Sequence, residues 1–189
     1  MQWMVAMQVE FRAWIALGAN LASPAGDCEA TLRSAVRALE HLGRVTAVSS
    51  VWETQPVGLA DQPLFLNAAA ALETTLGAPE LLQQLLQMER AHGRDRSSGL
   101  RNGPRTLDLD LLLMESPSGP VIVSRPGLEL PHPQMHRRRF VLAPLAEIAP
   151  EIVHPLLQKT IAAILRELDS SGDNAAENVR RLHPLVREI

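Results

Sequence analysis

At 189 residues, with 46% hydrophobic and 21% charged side chains, the chain has the material for one domain with a packed core. A formal net charge of −3 weighs against a dedicated nucleic-acid binder, and a single cysteine, Cys28, excludes an internal disulfide and points to a reducing compartment. No apolar run approaches the roughly 20 residues of a membrane span, and the start MQWMVAMQVEFR lacks the basic region and apolar core of a signal peptide, so a cytoplasmic location is expected.

Residues 9–17 (VEFRAWIAL) read as a strand, and GANLASPAGD (18–27) as a loop. Residues 28–42 carry Leu32, Val36 and Leu39 at helical spacing, with Gly43 placed to stop the helix. Residues 44–53 alternate and predict a second strand. TQPVGLADQP (54–63) is a loop. FLNAAAALET (65–74) is ambiguous: its alanines favour helix, its length and flanks a strand. Residues 79–92 predict a helix with Pro79 in its first turn. The polar loop GRDRSSGLRNGPR (93–105) leads into TLDLDLLLM (106–114), which alternates and then turns apolar, as a strand entering a core does. VIVS (121–124) predicts a short strand, PHPQMHRRRF (131–140) a second basic loop, and 140–150 and 159–168 two helices. The polar tail from about 169 to 189 is expected to be peripheral to a single domain spanning 1–189. The order βαββαββαα, with its adjacent strands, breaks a simple parallel pattern and predicts an α+β fold: a mixed or antiparallel sheet with helices on it.

Asp108 and Asp110 stand two apart in a strand, so both carboxylates leave one face, with Leu107, Leu109 and Leu111 on the other. Neighbouring carboxylates repel, and a hard divalent cation removes the repulsion; Mg²⁺ is commonly held by one or two carboxylates plus substrate phosphates. The plainer reading is a solvated acidic face. The preceding loop carries Arg94, Arg96, Arg101 and Arg105, whose guanidiniums match phosphate oxygens, and the combination points to chemistry on a polyphosphate. The second basic loop supplies His132, His136 and Arg137 to Arg139, of which one arginine is expected in the site. Phe65 and Phe140 are two of only three phenylalanines in a chain without tyrosine. Two rings can clamp a flat heterocycle while Asn67 reads its edge, although ordinary core phenylalanines fit the same pattern. Another phosphotransferase built on the Asp pair stays open. So does an RNA-binding sheet, against which the negative charge and the missing tyrosines count.

The segments IALGANL (15–21), VSSVWETQPVG (48–58), DQPLFLNAAAALET (61–74), GPRTLDLDLLL (103–113) and LPHPQMHRRRFVLAPLAEIAP (130–150) together resemble the 6-hydroxymethyl-7,8-dihydropterin pyrophosphokinases of the folate pathway, over about 15–158. The resemblance implies a ferredoxin-like α+β sandwich with a mainly antiparallel sheet. It implies transfer of the β,γ-pyrophosphate of ATP to the pterin hydroxymethyl group, with AMP released and two Mg²⁺ ions held by Asp108 and Asp110. It also implies that Thr54, Val57, Gly58, Phe65, Asn67 and Phe140 meet the pterin. Glu89, Arg96, Arg105, Leu111, His132 and Arg138 match positions that meet ATP, and Arg94 matches an arginine of the mobile catalytic loop. A monomer with small-molecule substrates, and no nucleic-acid or membrane partner, is the expected working form. The chain departs from the family pattern where Asn102 stands in place of a frequent Trp, where Leu86 replaces a Gln, and in a tail that carries no family motif.

Overall fold

The structure, a computed structural model, describes residues 10–56, 61–94, 103–171 and 178–186. The first strand, β1 (Phe11–Ala19), leads through a short loop to α1 (Cys28–Leu39). The Asp27 side chain caps that helix by accepting from the Ala30 N–H at 2.8 Å. The helix ends four residues before Gly43. That glycine serves close approach instead: a Cβ there would lie 2.0 Å from the Glu73 carbonyl oxygen.

The expected strand at 44–53 is two strands, β2 (Arg44–Val48) and β3 (Ser50–Thr54), broken at Ser49. The Ser49 hydroxyl accepts from the Ala69 N–H at 2.9 Å, and the Ser49 N–H donates back to the Ala69 carbonyl, so the break is pinned to the next strand. The ambiguous 65–74 segment is that strand, β4 (Phe65–Thr74). It runs between β1 on one side and β2 and β3 on the other, and Ala68 to Ala71 are at most 5% exposed. Alanines there let helices approach both faces of the sheet, and that burial overrides their helical propensity.

After α2 (Ala78–Ala91), strand β5 (Asp108–Ser116) pairs with β1, and β6 (Gly119–Pro120) closes that side. A small hairpin, β7 (Val123–Arg125) and β8 (Leu128–Leu130), precedes a 3-10 turn at Met135–Arg137 and α3 (Arg139–Ile148). A second hairpin, β9 (Val153–His154) and β10 (Lys159–Thr160), leads to α4 (Ile161–Ser171). The tail is not merely peripheral. Residues Val179–Pro184 form β11, which adds antiparallel to β3 at the sheet edge, and Leu185 is 1% exposed.

The main sheet runs β11-β3-β4-β1-β5-β6, with β2 beside β3 on β4, and every pairing is antiparallel. With β2 and β3 counted as one interrupted strand, the βαββαβ core has the ferredoxin-like order and confirms the α+β expectation. Alternation sorts the side chains. Ile15, Leu17, Ala68, Ala70, Leu109 and Leu111 face α1 and α2, while Trp14, Ala69, Ala71 and Leu113 face α3 and α4.

Candidate active site

A row of cross-strand partners builds the floor of the site. Trp52 on β3 lies opposite Asn67 on β4, Asn67 opposite Gly18 on β1, and Gly18 opposite Asp108 on β5. A Cβ at Gly18 would sit 3.2 Å from Asn67 Oδ1 and 3.9 Å from Asp108 Cβ. The missing side chain therefore opens the sheet surface between an amide and a carboxylate. Two residues along the strands, Asp110 lies opposite Ala16, again a small residue.

The two carboxylates share a face, as their spacing predicts, but their surroundings differ. Asp108 is paired with the guanidiniums of both Arg94 and Arg105. Burial pushes its pKa up, and the charges of Arg105 and Arg94, with their hydrogen bonds, outweigh burial and hold it below the usual aspartate value. Asp110 is pushed up, first by burial and then by the charge of Asp108, against the pull of His132, Arg138 and Arg94. A buried carboxylate in that state is short of positive charge. Among the described residues no three potential metal ligands cluster. Two hard oxygen donors on one face, with phosphates to complete the shell, fit Mg²⁺ and do not fit a cation that needs an all-protein cage.

Arg94 reaches the carboxylates from the end of α2. Its guanidinium donates to Glu89 Oε1 at 2.6 Å and to the Leu107 carbonyl at 3.2 Å. Glu89 is fully buried, and its Oε1 also accepts the Leu109 N–H at 2.9 Å. Glu89 thus ties Arg94 to β5 from a position without exposed surface. Leu111 likewise packs its side chain into the core against the α1 and α2 face, which leaves only its main chain for a nucleotide. On the opposite side His132 is held by its N–H to the Leu112 carbonyl at 2.8 Å, and its Nδ1 accepts from the Gln134 N–H at 3.3 Å. Burial lowers the His132 pKa, with Asp110 opposing and Arg138 adding. The Arg138 guanidinium carbon lies 5.8 Å from the Phe140 ring centroid. Of the three consecutive arginines, Arg138 faces the site and Arg139 turns to Asp169 at 2.6 Å.

Thr54, Phe65 and Asn67 line the same sheet face as α3. Asn67 is 6% exposed and its Nδ2 donates to Thr54 Oγ1 at 2.9 Å, which aims the amide oxygen toward Gly18. Phe65 lies opposite Thr54, and Phe140, half-buried, starts α3 above that face. Val57, Gly58, Arg96 and Asn102 lie outside the described residues.

Asn20 has no assigned role in the motif reading, yet it joins two loops. At 3% exposure its Oδ1 accepts the Arg105 N–H at 2.8 Å, and its Nδ2 donates to Gln62 Oε1 and the Pro63 carbonyl, both at 3.1 Å. The arginine loop and the loop before Phe65 are thereby fastened to the end of β1. The available signal was a polar amide directly after a buried strand, a position where a side chain must find partners.

Residues 14–150 match the family model described as 7,8-dihydro-6-hydroxymethylpterin-pyrophosphokinase (HPPK). The 2-amino-4-hydroxy-6-hydroxymethyldihydropteridine pyrophosphokinase of Pseudomonas aeruginosa is 44% identical over 76% of this chain and 84% of its own length. The Bacillus subtilis protein of the same name is 46% identical over 74% and 79%. Among solved structures, an HPPK-DHPS in complex with substrates superposes with a TM-score of 0.71 at 13% identity, over 93% of this chain and 47% of that one. Wild-type Plasmodium falciparum HPPK-DHPS gives 0.67 at 14%, over 91% and 48%. The chain thus spans about half the length of these solved proteins, and they support its fold. By family match and by identity to its bacterial relatives, the chain belongs to the 7,8-dihydro-6-hydroxymethylpterin-pyrophosphokinase family, enzymes that pass pyrophosphate from ATP to the hydroxymethyldihydropterin in folate biosynthesis.

Proposed function

We propose that the reaction runs across the Gly18 floor, with the pterin on the Asn67 side and the ATP polyphosphate on the Asp108 and Asp110 side. The observation that carries this reading is the cross-strand row Asn67–Gly18–Asp108, which sets an amide and a carboxylate on one face with no side chain between them. The pterin hydroxymethyl oxygen forms a bond to the β-phosphorus of ATP. The bond from that phosphorus to the bridging oxygen on the AMP side breaks, AMP leaves with the electron pair, and the hydroxyl proton passes to water.

Asp108 and Asp110 would hold two Mg²⁺ ions, which when bound supply charge neutralisation for the polyphosphate. Arg96 and Arg105 hold phosphate oxygens from one side, and His132 and Arg138 from the other. Arg94, braced by Glu89, keeps Asp108 aimed at the site, and the Leu111 main chain borders the nucleotide. Phe65 and Phe140 stack on the pterin, Asn67 reads its edge through an orientation set by Thr54, and by the family resemblance Val57 and Gly58 also meet the pterin. Positioning and charge compensation carry the rate. We read residues 1–189 as a single domain that works as a monomer in the cytoplasm; among the described residues no helix is long and apolar enough to cross a membrane. Product analysis tests the assignment. With hydroxymethyldihydropterin and Mg²⁺-ATP the nucleotide product is AMP, whereas ADP would mark single phosphoryl transfer and overturn it.

A further inference from the structure

The family match ends at residue 150, and β11 lies beyond it. That strand touches both walls assigned to the pterin. On one side Val179 lies opposite Thr54 and Arg181 opposite Trp52, so β11 sets the outer edge of β3 where Thr54 receives the Asn67 amide. On the other, the Val179 carbonyl accepts from Arg139 Nη1 at 3.4 Å, one residue before Phe140. Arg181 makes a second tie. Its Nε donates to Ser50 Oγ at 3.0 Å and its Nη2 to Glu147 Oε1 at 2.7 Å, while Glu147 also receives the Ser50 hydroxyl at 2.8 Å and Trp52 Nε1 at 3.0 Å. Hydrogen bonds from Ser50, Trp52 and Arg181 outweigh the partial burial of Glu147 and lower its pKa, so the charged form is the one held. Behind the strand, Leu185 is buried in the core and its carbonyl accepts Arg33 Nε at 3.0 Å, anchoring the end of β11 on α1.

We propose that β11 is a positioning element of the acceptor half of the site, with Arg181 its principal residue: it fixes β3, which carries Thr54, relative to α3, which carries Phe140. The proposal rests on the assignment of Thr54, Asn67 and Phe140 to the pterin. It separates the two substrates. The carboxylates and Arg94 sit on β5 and the end of α2, and β11 is ordered outside β3 at the far end of the sheet. Loosening β11 therefore acts first on the pterin walls and leaves the carboxylates and Arg94 in place; of the residues assigned to the nucleotide only Arg138, next to Arg139, adjoins it.

Steady-state kinetics of Arg181→Leu in the full chain tests this. The expected result is a rise of about tenfold in KM for hydroxymethyldihydropterin, with kcat and KM for ATP within about twofold, and partial recovery in Arg181→Lys, the size set by the sensitivity of bound geometry to small displacements. Should Arg181→Leu fail to fold, the Arg181→Lys variant carries the same split at smaller amplitude. Ile164→Val, which weakens the core under α4, separates positioning from general destabilisation: it must leave the acceptor KM unchanged. Equal losses for both substrates, an unchanged acceptor KM in the Arg181 variants, or an acceptor effect as large in Ile164→Val, overturns the role of β11. Phe140→Ala is the reference for the assignment beneath it. If that variant binds the pterin normally, the assignment fails and the proposal with it; if it does not while Arg181→Leu does, only the role of β11 fails.

Discussion

Asp108 and Asp110 are two residues apart on one strand and occupy opposite electrostatic settings. Two arginines already compensate Asp108, while Asp110 is raised by burial and by its neighbour. Removing the carboxylate that most lacks a counter-charge removes the stronger reason for a cation to bind. Asp110→Ala is expected to lower kcat on the order of 10³-fold, about 4 kcal/mol of transition-state stabilisation; near-normal turnover at saturating Mg²⁺ would sink the metal assignment. Gly18 supplies a steric test. A methyl group there must push the Asn67 amide by a few tenths of an ångström, and that amide is already held by Thr54. Gly18→Ala is expected to raise the acceptor KM by about three- to tenfold with little change in the melting temperature. Equilibrium titration with the pterin alone checks that the loss is in binding.

At the scale of elements, α2 and β5 communicate through one buried carboxylate. Glu89 holds Arg94 and the Leu109 N–H together, so Glu89→Leu leaves the buried Leu109 N–H without its acceptor and takes one of two carboxylate partners from Arg94, which keeps Asp108 and the Leu107 carbonyl. A loss of about 3 kcal/mol in unfolding free energy is expected, read as a lower urea midpoint at unchanged slope. The β9–β10 hairpin offers a pH-dependent readout. His154 is 3% exposed, its ring meets that of His136 edge-on at 6.1 Å, and burial, then His136, lower its pKa. Unfolded chain takes up the proton at the ordinary histidine value and the fold resists it. Stability is therefore complete above the ordinary histidine range and is lost as pH falls through and below it. His154→Gln is expected to flatten the decline in melting temperature between about pH 7 and 5; an unchanged slope would reject the account.

These elements also show where a sequence stops being informative. The shared face of Asp108 and Asp110 follows from a period of two, and the helices at 28–39 and 78–91 from a period of 3.6, because both signals are local. The strand identity of Ala68–Ala71 depends on having sheet partners on both sides and helices on both faces, none of which is written in the segment itself. The burial of Glu89 arises only when β5 is laid beside α2. Asn20 and Arg181 act through partners 85 and 34 or more positions away, at Arg105 and Glu147. The family resemblance assigns roles to Glu89 and Arg94 but none to Asn20 or Arg181, whose partners only the fold brings near.

For the whole molecule, ligand binding is a stability measurement as well as a functional one. A chain that binds Mg²⁺ with a non-hydrolysable ATP analogue gains about 2.7 kcal/mol at a hundredfold excess over Kd. For a domain of this size that is a rise of about 5–10 °C in melting temperature. The shift is expected to vanish with EDTA and to be absent in Asp110→Ala, and a short RNA is expected to give none. A shift that survives chelation would mean that the nucleotide is held without the metal.

Strand β11 has a further consequence, for how molecules of this protein behave toward one another. Its backbone covers the outer N–H and C=O groups of β3, groups that would otherwise be a template for pairing with a strand of another chain. In their place the sheet presents a strand that carries Arg180 and Arg181 and ends at Pro184, while the opposite end finishes in the two-residue β6 with Pro120. Charge, brevity and proline are the features that discourage edge-to-edge assembly. Preparations in which the tail is clipped by proteolysis should therefore self-associate at concentrations where the intact chain stays dispersed, a difference that light scattering resolves.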